Sequence, residues 1–212
     1  MTISLFLYAL IVLALLIAEL REDWRAQYFF KPLAAFGFVI LALQFGALES
    51  TYGTYILAGL IACAVGDVFL LARKSQALFI AGMVAFAMGH IIYSFGFMTH
   101  GFQLDTVMNG KSIFGMAATL AMLCLLGAVY IIPRAVRDMR PPIIIYSVII
   151  TTMCVLAALT SNKIIILAAL LFATSDYFVG MDRFIDPKKY WPLLITPLYF
   201  GAQALFALSV SI

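Results

Sequence analysis

Eight stretches dominated by apolar residues, each seventeen to twenty-three positions long, succeed one another along this chain with only short polar breaks. They lie near 2–20, 32–48, 54–72, 76–98, 112–131, 141–160, 163–182 and 191–211. Crossing a hydrocarbon core of about 30 Å takes about 20 apolar residues in a helix. Within lipid every backbone N–H and C=O must be bonded internally, which leaves helices or a closed barrel. A barrel strand alternates apolar and polar residues, and these runs do not. The pattern therefore predicts an all-α polytopic membrane protein with eight transmembrane helices. With 65% hydrophobic and 11% charged residues, the chain lacks the polar surface to cover a water-facing domain. The breaks contain no low-complexity linker, so 1–212 reads as a single transmembrane domain.

The opening "MTISLF" has no basic region before its apolar run, and "REDWR" follows that run in place of a small-residue cleavage site. The first helix is expected to be retained. Eleven of the thirteen Lys and Arg residues fall after odd-numbered runs: Arg21, Arg25 and Lys31; Arg73 and Lys74; Arg134, Arg137 and Arg140; Arg183, Lys188 and Lys189. Lys111 and Lys163 lie on the opposite side. The positive-inside rule makes the busy loops cytoplasmic and puts both termini on the non-cytoplasmic side. Short loops and compact size point to a bacterial inner membrane. The net charge of +3 reports topology and gives no ground for a nucleic-acid partner; the implied partners are membrane lipids.

Two carboxylates stand well inside the runs. Asp67 precedes Arg73 by six residues and Asp176 precedes Arg183 by seven, which sets both about 9–10 Å below the charged boundary. The third and seventh runs point the same way, so the two occupy one layer. Glu19, two positions before Arg21, is expected to snorkel to the surface. Gly59, Cys63 and Gly66, and Ala169, Ala173 and Gly180, form small-residue faces that allow close approach of the two helices. No Lys or Arg falls within that interior to keep both aspartates ionised. A pair sharing one proton supplies an acid and a carboxylate together, which is a catalytic state. The plainer alternative is helix adhesion, with each aspartate bonded to Thr174, Ser175 or backbone.

At a constant offset of 109 residues, Lys31-Pro32 falls on Arg140-Pro141, Ala64 on Ala173, Asp67 on Asp176, Phe69 on Phe178 and Lys74 on Arg183. This register makes runs one to four and five to eight parallel four-helix repeats about an axis along the membrane normal, an axis that exchanges the aspartates.

Other polar residues are sparser. His90 sits about 24 Å along its helix from Lys74, beyond the aspartate layer, where a structural bond to Tyr93 or to the eighth run is expected. His100 is at a helix end, so the usual three or more metal ligands are missing; no metal and no cofactor is expected. Cys63, Cys124 and Cys154 lie within apolar runs as packing residues. Tyr199 and Gln203 share a face, and Pro197 can open their helix towards a cavity. Lys31, Arg73, Lys74, Arg140 and Arg183 form a rim suited to a lipid phosphate.

The blocks "AVGDVFLL" (64–71), "AGMVAFAMGHIIYSFGF" (81–97), "LLFATSDYF" (170–178) and "TPLYFGAQALF" (196–206), in that order over essentially the whole chain, resemble the YhhN-type lysoplasmalogenase family of eight-helix membrane proteins. The resemblance implies hydrolysis of the vinyl ether of a lysophospholipid to a fatty aldehyde and a glycerophospho-alcohol, with Asp67 and Asp176 as catalytic aspartates. Lys31, Arg73, Lys74, His90, Tyr93, Ser175, Tyr199 and Gln203 are then the candidate substrate-binding residues. Two rivals stand beside it. An intramembrane aspartyl protease also uses two membrane aspartates, but Ala64 occupies the first glycine of its Gly-x-Gly-Asp motif. A proton-coupled transporter or lipid-binding carrier uses the same parts as a proton relay.

Overall fold

A computed structural model describes residues 2–72, 75–102, 127 and 129–211. Seven of its helices are long and apolar enough to cross a membrane: α1 (Thr2–Leu20), α2 (Trp24–Gln44), α3 (Thr51–Leu70), α4 (Gln76–His100), α5 (Arg140–Leu159), α6 (Lys163–Phe184) and α7 (Pro192–Ser209). The protein is an integral membrane protein, and its described regular structure is all helical. The expected span at 112–131, the basic pair Arg73 and Lys74, and Cys124 lie almost wholly or wholly outside the described residues. Two 3₁₀ turns, Ile132–Arg134 and Arg137–Met139, lead into α5.

Helix starts follow capping chemistry. Asp23 Oδ1 accepts from the N–H groups of Arg25 and Ala26, Ser50 Oγ from Gly53, Ser75 Oγ from Leu78, and Asn162 Oδ1 from Ile164 and Ile165. The Asp23 cap corrects the second span. It begins at Trp24 and ends at Gln44 instead of running 32–48, so Pro32 and Lys31 lie inside the helix; Gly46, at φ +84°, turns the chain after it.

The helices α3 and α4 form one antiparallel pair and α6 and α7 another. Helix α2 lies against α3 and α7, α4 against α5, and α1 against α2 and α7. The core they enclose includes Phe38, Leu60, Tyr93, Phe97, Phe172, Phe200 and Phe206. The small-residue face of α3 serves a different neighbour from the one expected. A Cβ on Gly59 would lie 2.4 Å from the Tyr93 ring, one on Gly66 2.8 Å from Phe86, and one on Gly89 2.7 Å from Cys63 Sγ. These positions seat α4 on α3, because its bulky aromatic side chains need the room.

The replacement Gly59→Ala tests that contact. Tyr93 cannot retreat freely, since its hydroxyl is bonded to Gln203 and its ring lies 4.5 Å from that of Phe206. Overpacking there is expected to cost about 1–3 kcal/mol, read as a lower unfolding midpoint of the detergent-solubilised protein.

Candidate active site

Six helices, α2 to α7, and the segment preceding α5 line a cavity of about 150 Å³ at the basic end of the bundle. Asp67 from α3, Tyr146 from α5, Ser175 and Asp176 from α6, and Tyr199 from α7 line it beside apolar Phe79, Met83, Phe86, Ile143 and Ile150. A wider space of about 400 Å³ adjoins it at the rim, bounded by Glu19, Glu22, Asp182, Arg183, Lys188, Lys189 and Thr196. Lys31, Leu70, Phe79, Val179 and Ile195 border both. Lys31 thus stands at the throat between an apolar chamber and a charged vestibule.

Each aspartate in the chamber is held by a tyrosine. Tyr199 Oη donates to Asp67 Oδ2 at 2.6 Å, and Tyr146 Oη donates to Asp176 Oδ2 at 2.5 Å. Asp67 is 2% exposed, whereas the Asp176 side chain keeps 20% of its surface open. Between the two units stands Phe172, fully buried, edge-on to Tyr199 at 5.3 Å and to His90 at 4.6 Å. Such perpendicular ring contacts are favoured by the ring quadrupoles. They tie Tyr199, the phenol of one unit, to His90, which stands behind the phenol of the other.

His90 does not sit beyond the aspartate layer. Its Nε2 lies 3.0 Å from Tyr146 Oη and 3.7 Å from Asp176 Oδ2. The backbone there stands about one turn beyond Asp67, with Gly89 against Cys63 of α3, and the imidazole reaches back from it, since helix side chains lean towards the N-terminal end. The expected partner Tyr93 instead donates to Gln203 Oε1 at 2.8 Å. Neither Tyr93 nor Gln203 borders the chamber; they join α4 to α7 above it. Ser175 does border the chamber while donating to Phe172 O at 2.9 Å. Helix α7 continues unbroken through Pro197.

Glu19 is the second correction. It is 8% exposed and does not snorkel: Thr196 donates its hydroxyl proton to Oε2, and Lys31 Nζ lies 3.7 Å from Oε1. A carboxylate with a hydroxyl donor and an ammonium at hand has no need of bulk water. Arg140 bonds the carbonyls of Ala135 and Pro133, capping the turn before α5, and Arg183 lies over the Phe79 ring at 4.5 Å. Among the described residues, no three His, Cys, Asp or Glu side chains converge as a metal ion requires. The residues missed from sequence are Tyr146 and Phe172. Tyr146 carried a signal, as a polar interruption of "IIIYSVII" at a depth where a phenol needs a partner.

The YhhN family matches residues 26–210. The chain is 30% identical over 192 residues to the Bos taurus protein named lysoplasmalogenase TMEM86A, covering 84% of this chain and 74% of that one. It is 29% identical over 194 residues to the Homo sapiens protein of that name, with the same coverage. Against human lysoplasmalogenase TMEM86B it is 31% identical over 157 residues, 74% of this chain and 63% of the relative. No solved structure gives a significant match. With a family match over nearly its whole length, the chain belongs to the YhhN family.

Proposed function

We propose that this protein is a lysoplasmalogenase that hydrolyses the vinyl ether of a lysophospholipid by acid–base catalysis with Asp67 and Asp176. One observation carries the proposal: two tyrosine-held aspartates line an apolar chamber that meets a charged vestibule at Lys31. Its relatives' names supply the reaction. A lysolipid with its phosphate at Lys31 and its alkenyl chain in the chamber has its ether bond a few atoms deeper, towards the carboxylates. Protonation of the β-carbon gives an oxocarbenium ion; water adds to it, and the hemiacetal collapses to aldehyde and alcohol. One carboxyl supplies the proton while an ionised one stabilises the cation, the division of labour found in glycosidases.

The duplication at offset 109 draws support from the site. That register places His90 on Tyr199. Asp67 meets Tyr199 of α7 just as Asp176 is met by His90 of α4, and the packing of α2 on α7 has its counterpart in that of α5 on α4. The basic end is proposed as the cytoplasmic one and the membrane as a bacterial inner membrane.

Release of fatty aldehyde from lysoplasmenyl-ethanolamine by the purified protein tests the activity. Aldehyde in proportion to enzyme is expected. A folded protein that binds the lysolipid and releases none would make it a lipid carrier. In the same assay Lys31→Met is expected to raise KM about ten-fold with little change in kcat. It removes one charge-assisted bond to phosphate, worth about 1.5–3 kcal/mol, while both aspartates keep their tyrosines and Glu19 keeps its bond from Thr196.

A further inference from the structure

The aspartate at the open side of the chamber has a second group behind its tyrosine. A phenol carries one proton. Tyr146 gives its proton to Asp176 Oδ2 at 2.5 Å, so the 3.0 Å contact to His90 is a hydrogen bond only if Nε2 of the imidazole carries the hydrogen. The other ring nitrogen agrees. His90 is fully buried, and its Nδ1 has no partner among the described residues. An N–H at Nδ1 would strand a buried donor as well as set two lone pairs face to face at Nε2. The chain is therefore directional, from His90 Nε2–H to Tyr146 O–H to Asp176 Oδ2.

Asp67 is held differently. Its tyrosine stands among the rings of Phe38, Phe86, Phe172 and Phe200 with the Gln203 amide beside it, and no histidine lies behind it, since the other one in the chain is His100 at the far end of α4. We infer that His90 and Tyr146 are positioning residues that hold Asp176 as an ionised carboxylate, with Oδ2 accepting from the phenol and Oδ1 left for the chamber. Donors and its more open side chain favour the charged form there, whereas Asp67, 2% exposed, is held neutral by burial. The general acid is then Asp67, and Asp176 is the carboxylate that stabilises the cation.

This assignment rests on the hydrolase reading above. In the first step the carboxyl O–H bond of Asp67 breaks as the π pair of the vinyl ether forms a bond from the β-carbon to that proton, and an ether lone pair completes the oxocarbenium beside the Asp176 carboxylate. Water adds to the α-carbon and returns a proton to Asp67. The hemiacetal then collapses: its C–O bond to glycerol breaks, and the hydroxyl proton ends on the glyceryl oxygen.

Two measurements test the inference. In the aldehyde assay, Tyr146→Phe and His90→Leu are each expected to lower kcat by about 10–100-fold with KM within about two-fold, the scale of a misplaced reacting group. His90→Gln, which keeps an N–H near the Nε2 position, is expected to recover most of that loss. The double variant Tyr146→Phe/His90→Leu should be no slower than Tyr146→Phe, because His90 acts through the phenol. A His90→Leu enzyme with wild-type kcat, or losses that multiply in the double variant, overturns the inference.

The second measurement does not depend on turnover. Nitrogen NMR of histidine-labelled protein, with the His90 signals identified by their loss in His90→Gln, should show hydrogen on Nε2 and a shift in Tyr146→Phe. Hydrogen on Nδ1 overturns the positioning chain whether or not aldehyde forms. Hydrogen on Nε2 in a wild type that releases no aldehyde overturns instead the hydrolase reading, and the roles of both aspartates with it.

Discussion

Asp67→Asn and Asp176→Asn are each expected to lower aldehyde release at least about 10³-fold, within the range that loss of a general acid or a paired carboxylate produces. Asparagine preserves the shape of aspartate and an Oδ that can still accept from Tyr199 or Tyr146, the bonds seen at 2.6 and 2.5 Å. The helices therefore keep their contacts, and what disappears is the titratable proton at one position and the negative charge at the other. The double variant should be scarcely slower than the worse single one, because two groups serving one transition state are non-additive. Gel filtration in detergent and retained lysolipid binding establish that each variant is folded. More than a tenth of wild-type turnover in either folded variant removes that aspartate from the chemistry.

The membrane architecture was legible because lipid leaves so few options: long apolar runs could only be helices, and the described chain places seven spans where runs were read. Boundaries were less legible where a cap outweighed composition. Asp23 starts α2 eight residues before Lys31, within a stretch whose charges argue for a loop. Asp67 and Asp176 stood out because a carboxylate in a span is costly enough to need a reason. The groups around them did not. Tyr146, Phe172 and Glu19 act through neighbours brought from other helices, and a pairing such as Thr196 with Glu19 spans 177 positions. His90 was legible as a residue and misplaced as a site, since rise per residue fixes where a Cα stands along an axis and says nothing of how far its side chain reaches back.

Phe172→Ala carries the largest expected loss of stability, about 3–5 kcal/mol, the range for emptying a buried aromatic position. The side chain is fully buried and touches the rings of Phe86, His90 and Tyr199, so no single neighbour can move into the space without leaving another contact. Its removal acts on the site as well as on the fold. With the spacer gone, His90 and Tyr199 lose the ring that separates the two carboxylate units, and each aspartate inherits the freedom of its phenol. The expected signature is a lower unfolding midpoint together with a reduced kcat in the fraction that remains folded below it. Phe172→Leu separates the two effects. A branched aliphatic side chain refills much of the volume but presents no ring edge, so stability should largely return while kcat stays depressed. If Phe172→Leu restores both alike, the ring serves as filling alone, and the spacing of the two units must be set by the helices themselves.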